Sequence, residues 1–495
     1  MPAVAEQVRA YVSAPAIPQR DAIGRVERKG VEYIPETERD SSPANLTAVF
    51  LGGNLAFSVI IFGWLPITFG LGWWSAVTSS VAGLAAGTAL TVPMALLGPR
   101  TGTNNAVASG AHFGVKGRLI GSALTLLFAL AFTAISVWTG GDALVASAAR
   151  LFGTPSGDVA LATGYGLIAI GIVLIAIYGH GTVVALQKLL VPLVGALLLL
   201  GVAAFAGDFD AGYGGGDYLL GGFWSTWALS AVVAAAGPIS YAPSLGDYSR
   251  RISRRRFSDR TVLAGAATGI FLGLLVTTLF GAFTAATFAN PTDSYVLDLV
   301  TASPLWYVVP ILLIGLAGSV GQGALNLYST GLDMESLVPR LSRVQTTVLT
   351  SVAAVGLVFA GTFVLDAVDS VTALTLVLNA VAAPWVAVNL VGFLVARRGR
   401  YDPHDLQVMG RGRRGGRYCF SGGWNPRAVI AWAAGSAFGL LAVNTTLYTG
   451  PLADVAGGVD LSLLGSGAIA AAAYGLALAI APERVPEPPP EEGSR

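Results

Sequence analysis

Charge and cysteine are what this chain has least of. Of its 495 residues, 12% are charged and one, Cys419, is a cysteine. Soluble domains carry about 25% charged residues, so a soluble fold is excluded. A single cysteine excludes an internal disulfide and a cysteine-based metal site. The three histidines, His112, His180 and His404, are scattered over segments that read as loops, and no H-E-x-x-H occurs. No G-x-x-x-x-G-K-[ST] occurs either, so no P-loop holds ATP. No metal and no cofactor is expected. The first 42 residues are polar and charged, which excludes a cleavable signal peptide there.

What the chain has instead is apolar length. Hydrophobic residues make up 54%, and the mean hydropathy is +0.67. Apolar segments fall near 46–72, 73–98, 118–148, 159–178, 187–206, 222–246, 261–288, 304–330, 344–365, 369–396, 427–449 and 458–481. A run of about 20 such residues crosses the hydrocarbon core as a helix. The pattern predicts an all-α integral membrane protein of twelve helices. With that count, every Lys and Arg except Arg150 falls on one side: 28 of 29. The densest clusters are Arg250–Arg260 and Arg397–Arg417. Basic loops stay inside, so both termini are expected in the cytoplasm and the protein in the plasma or inner membrane. Each cluster abuts an apolar span, which argues against nucleic-acid patches. Trp74, Trp224 and Trp306 lie near span ends, where an interfacial belt is expected.

The expected organisation is a cytoplasmic tail over 1–42, a core over 43–396, a mobile Arg- and Gly-rich connection over 397–426, two further helices over 427–481, and a disordered Pro/Glu-rich tail over 482–495. Two spans are poor continuous helices. The first reads Gly52-Gly53-Asn54-Leu55-Ala56-Phe57-Ser58, and the sixth reads Gly237-Pro238-Ile239-Ser240-Tyr241-Ala242-Pro243. Proline lacks a donor and disfavours helix before it. Backbone groups freed in hydrocarbon persist only against protein or a wet cavity. Two interrupted spans five helices apart predict a 5+5 inverted repeat with a midplane binding site.

On this placement the span interiors carry no ionisable residue; Asp142 and Asp247 sit near ends. That argues against a carboxylate proton relay and a charged substrate, and for a neutral, flat, polar one. The candidate contacts are then uncharged: Asn54 and Ser58 in the first break, Gly237, Ser240 and Tyr241 in the sixth span, Gln322 and Asn326 in the eighth. Gln322 and Asn326 are four residues apart and share a helix face. A carboxamide offers a donor and an acceptor, matching the edge of a nucleobase. Phe57, Phe132, Trp138 and Tyr241 are candidate stacking rings. Asn54, Ser319 and Gln322 are weak candidates for a coupling cation.

Several stretches resemble purine–cytosine permeases of the nucleobase:cation symporter-1 family. They are Phe69-Gly70-Leu71-Gly72, Gly98-Pro99-Arg100-Thr101-Gly102 with Phe113-Gly114-Val115-Lys116-Gly117, Gly246-Asp247-Tyr248-Ser249-Arg250, and Arg417-Tyr418 with Gly422-Gly423-Trp424-Asn425. The resemblance implies a leucine-transporter-type core of ten helices and cation-driven uptake by alternating access. The ligand would be a nucleobase or a related heterocycle such as allantoin, a hydantoin or a vitamin-B6-like ring. It would sit among spans one, three, six and eight, between an aromatic ring of span three and one of span six. Phe132 takes the first position, while Pro238 stands at the second, leaving Tyr241 as the substitute. Gly321-Gln322 stands where sodium-dependent relatives carry hydroxyls on span eight, so sodium and proton coupling are both open. The carrier is expected to be a monomer or weak oligomer. A channel or membrane receptor is the alternative from another class, but no repeated filter or charged ring is visible.

Overall fold

The computed structural model describes residues 32–483 except 179, 290, 291, 293, 339, 340, 342, 364–366, 408–415, 446 and 458. Of the expected tails over 1–42 and 482–495, the parts 1–31 and 484–495 lie outside the described residues. Among the described residues the chain is helical, with four isolated β-bridges and no named strand. The first span is a bent pair, α1 (Pro43–Gly53) and α2 (Phe57–Thr68), at 59°. Then come α3 (Trp73–Thr101), the short α4 (Asn105–Phe113), α5 (Arg118–Phe152), α6 (Asp158–Ala176) and α7 (His180–Phe205). The sixth span is α8 (Phe223–Ser240) with α9 (Leu245–Ser249), followed by α10 (Asp259–Ala285) and the short helix α11 (Tyr295–Ala302). The remainder are α12 (Leu305–Leu337), α13 (Arg343–Phe363), α14 (Ala367–Val391), α15 (Pro426–Ala442) and α16 (Ser462–Ile480).

Among the described residues ten helices are long and apolar enough to cross a membrane, eleven with the bent pair as one span; the apolar α15 is shorter, at 17 residues. Helix starts follow their caps. Ser42, Asn104, Ser258 and Ser294 each accept from a backbone N–H of the first turn, and Pro43 and Pro426 stand at first positions. Trp74, Trp224 and Trp306 are exposed at helix starts.

The helices approach through small residues, since lipid offers no hydrophobic drive for association. A Cβ on Gly63 of α2 would run into the Thr278 carbonyl of α10. One on Gly281 of α10 would meet the Ile60 carbonyl, and one on Gly83 of α3 the Ala231 carbonyl of α8. The pairings have a pattern. Spans one and seven pack together, as do spans six and two, and α5 and α12 cross at the centre. Span eight packs on four and five, and span three on nine and ten. Exchanging the first five spans for the next five maps each pair onto another.

On the basic side, residues expected in a tail and a loose connection are held. The Ile34 N–H donates to the Gly102 carbonyl at 2.8 Å, and buried Arg39 donates to the Pro99 carbonyl at 2.7 Å. Arg397 is also buried; it donates to the Ala111 carbonyl at 2.8 Å and pairs with Glu483, which accepts from Asn425 at 2.7 Å. Nearby His112 lies under Gly392, its Nε2 3.1 Å from the Tyr401 hydroxyl. Burial, with the Arg397 charge adding to it, holds His112 well below the ordinary histidine range. A neutral histidine in the fold faces one that titrates near about 6.5 when unfolded. Folding stability from this group is therefore complete above about pH 6.5 and falls as pH drops below it, by up to about 1.4 kcal/mol per pH unit. Thermal unfolding at neutral and mildly acidic pH should show this loss in the wild type and a smaller one in His112→Gln.

Candidate substrate site

The site grows from the break in the first span. Helix α1 runs out at Gly52-Gly53, and Ala56 is extended at φ −147° before α2 begins. Asn54 stays in the gap because both ends of its amide are used. Its Nδ2 donates to the Phe50 carbonyl at 2.6 Å, and its Oδ1 accepts from the Tyr241 hydroxyl at 2.7 Å. Tyr241 caps the C-terminal end of α8, and its ring meets Phe50 edge-on at 4.9 Å. Gln322 of α12 lies beside the same hydroxyl, and its buried Oε1 has no hydrogen-bond partner.

These groups line a cavity of about 10 Å³. That is room for one water, so an aromatic ligand requires the walls to part. Asn54, Phe132, Gly237, Ser240, Tyr241 and Gln322, all expected from the sequence, are in the lining. Phe132 tilts 32° against Phe62 at 6.0 Å, which leaves the stacking surface on α5. Ser58 and Asn326 are not in the lining. Ser58 is fully buried with no partner for its Oγ, and Asn326 sits one turn further along α12. Phe62 and Thr278 are lining residues that the sequence did not single out. Thr278 is hidden by its setting, next to Thr277, which bonds back to its own helix at Gly273 and Leu274.

The sixth span departs from expectation. Gly237 and Pro238 lie inside α8, and the interruption is the turn Tyr241–Ser244 before α9. Pro238 removes the N–H that the Ala234 carbonyl would accept, one hydrogen bond of the last turn, and the helix still runs on to Ser240. Trp138 does not reach the site. It lines a separate, apolar cavity of about 290 Å³ between α5, α13 and α14.

Of the candidate cation ligands, Asn54 and Gln322 meet at the cavity, and Ser319 does not join them. Ser319 faces Gly140 of α5, and its buried Oγ has no partner. A Cβ on Gly318 would lie 2.7 Å from the Leu55 carbonyl, so α12 abuts the break with no side chain there. Gln187 of α7, which the sequence reading missed, fills this corner. Its Nε2 donates to the Gly321 carbonyl at 2.9 Å, and a Cβ on Gly52 would lie 2.9 Å from its Oε1. Among the described residues no three His, Cys, Asp or Glu gather as for a metal.

The expectation of uncharged interiors holds for the cavity lining but not for the helices as a whole. Asp142 is buried in α5 and accepts from Tyr165 at 2.9 Å and Ser294 at 3.2 Å. Asp247 and Asp333 are fully buried in α9 and α12. Helix α12 runs past the expected end of its span, which carries Asp333 into the packed protein.

Membrane-length apolar helices around a buried polar cavity, at a broken first span, are the architecture of a membrane permease. Residues 33–465 match the family described as permease for cytosine/purines, uracil, thiamine, allantoin. The chain belongs to this family. It is 28% identical over 455 residues to a putative purine-cytosine permease, YxlA, of Bacillus subtilis, covering 88% of this chain and 93% of that one. Its fold is similar to that of Mhp1, a nucleobase-cation-symport-1 family transporter solved in a closed conformation with bromovinylhydantoin bound. The TM-score is 0.72 at 18% identity, covering 92% of this chain and 96% of that one. It is also similar to a sodium-coupled sialic acid symporter, with a TM-score of 0.62 at 13% identity, covering 93% and 94%.

Proposed function

We propose that this permease is a secondary active transporter that takes up a neutral nucleobase, such as cytosine or a purine, with a coupling cation. The observation that carries this reading is the cavity. Two carboxamides and a phenol, Asn54, Gln322 and Tyr241, line it together with the Phe132 ring, with no charge in the lining. Amide and hydroxyl groups match the donor and acceptor edge of a base, and the ring matches its face. The purine-cytosine name of the Bacillus relative supports the base, and the hydantoin bound to Mhp1 supports a second reading, another small planar heterocycle. The paired packing of spans supports a 5+5 repeat over 43–396, with two additional helices over 427–481. The basic loops support cytoplasmic termini in a plasma or inner membrane. Sodium and proton are the two candidate ions. A monomer or weak oligomer, with no nucleic-acid partner, fits scattered apolar side chains facing lipid.

The test is uptake of labelled cytosine, uracil, adenine, hypoxanthine, allantoin and hydantoin by cells lacking their own carriers. Saturable uptake of at least one is expected. Surface-expressed protein that transports none of them sinks the reading.

A further inference from the structure

Below the cavity, α12 keeps one polar face: Gln322, Asn326, Ser329 and Asp333. Steps of four, three and four residues hold these on one side of a helix. The stripe runs about 16 Å at the helical rise. It ends in a buried cluster. Asp333 Oδ1 accepts from Asn104 at 3.1 Å and Ser122 at 3.0 Å, while its Oδ2 has no partner. Asp247 of α9, 0% exposed, lies within reach of the Asp333 charge and shares Asn104 with it as a neighbour. Neither Asp247 oxygen has a hydrogen-bond partner; Ser329 and Asn104 lie beside it without meeting hydrogen-bond geometry.

The surrounding charges come from four elements. Arg118 of α5 acts on Asp333. Arg250, just after α9, acts on Asp247, but less strongly than the Asp333 charge does. Tyr248 is neutral and donates to the Leu325 carbonyl at 3.0 Å, and the His180 ring of α7 lies against it. Arg100 of α3 is taken up by Asp259. Two buried carboxylates that feel each other resist carrying two charges. A metal cation would have to settle between Arg118 and Arg250, whereas a proton needs no coordination shell.

We propose that the Asp247–Asp333 pair is a proton-binding site and that its proton is the coupling ion. The proposal rests on the transport reading above. The stripe links the pair to Gln322 in the cavity lining, so the pair is reached through the cavity when the outer side opens. It faces the basic loops when the inner ends part. One carboxylate gains a proton and loses its charge, and no other bond changes. The corner where span eight meets the first break is closed by the Gln187 amide, which leaves the cation role to this pair.

Infrared spectra of the purified carrier in lipid vesicles test the site without any substrate. A protonated-carboxyl C=O band is expected at neutral pH, and it should vanish in Asp333→Asn and in Asp247→Asn. No such band in the wild type, or one unchanged in both variants, overturns the proposal. Proteoliposomes then give the functional arm, using the labelled base that the uptake panel selects. Both variants should lose accumulation driven by an inside-alkaline gradient yet retain counterflow of the base. Wild-type accumulation in both variants overturns the proposal as well. Absence of counterflow in the wild type would instead strike the transport reading, while the spectra still decide the proton site.

Discussion

Replacing Asn54 by alanine should lower kcat/KM for the transported base by about tenfold to a hundredfold. The loss has two sources. Asn54 Oδ1 holds the Tyr241 hydroxyl at 2.7 Å, deep in the protein. Stranding that hydroxyl costs about 1–3 kcal/mol. The same amide is one of the polar groups the ligand would meet, and a transition state that uses it loses that contact too. Tyr241→Phe keeps the ring and removes the hydroxyl. If the two side chains act as a unit, the double variant falls short of the summed single effects. Unchanged kinetics in Asn54→Ala, with protein at the surface, would remove Asn54 from the site. A fall in surface protein with unchanged kinetics would make it a folding residue only.

The second large effect is on folding. Gly63→Val should leave little properly folded carrier, because its Cβ would overlap the Thr278 carbonyl of α10. Overpacking usually costs about 1–3 kcal/mol, with larger losses where nothing can yield. Here the obstacle is a helix backbone. The same crossing sets the distance from Thr278 to the cavity, so survivors should also transport poorly. Gly166→Ala of α6 is the control, since nothing lies within 4 Å of its added Cβ. Size-exclusion profiles and thermal unfolding of the solubilised protein read both. A monodisperse Gly63→Val carrier of wild-type stability would contradict the packing described for α2 and α10.

The span pattern was legible because lipid imposes simple rules on length and charge. Gly52-Gly53-Asn54 announced the first break because paired glycines end a helix and leave a polar residue in the gap. The sixth span misled because Pro238 reads as an interruption, whereas in α8 it costs one backbone hydrogen bond and the helix runs on to Ser240. Six lining residues were readable: Asn54, Ser240, Tyr241 and Gln322 as uncharged polar side chains within spans, Gly237 from the Gly-Pro interruption, and Phe132 from the family resemblance. Ser58 and Asn326 looked equivalent to them, but facing direction is a tertiary property. Gln187 escaped notice because it lies at the very start of its apolar run, where a polar residue reads as a helix end. Asp333 escaped because hydropathy ends the span at 330, while the helix and the packing around it continue.

The central claim is that Asn54, Tyr241 and Gln322, with the Phe132 ring, bind a neutral planar heterocycle. Equilibrium binding of the labelled heterocycle panel to purified carrier tests it most directly. The account predicts saturable binding of at least one compound by the wild type, strongly weakened in Asn54→Ala, Gln322→Ala and Phe132→Ala, with the fold of each variant intact. Wild-type affinity in all three variants would contradict it.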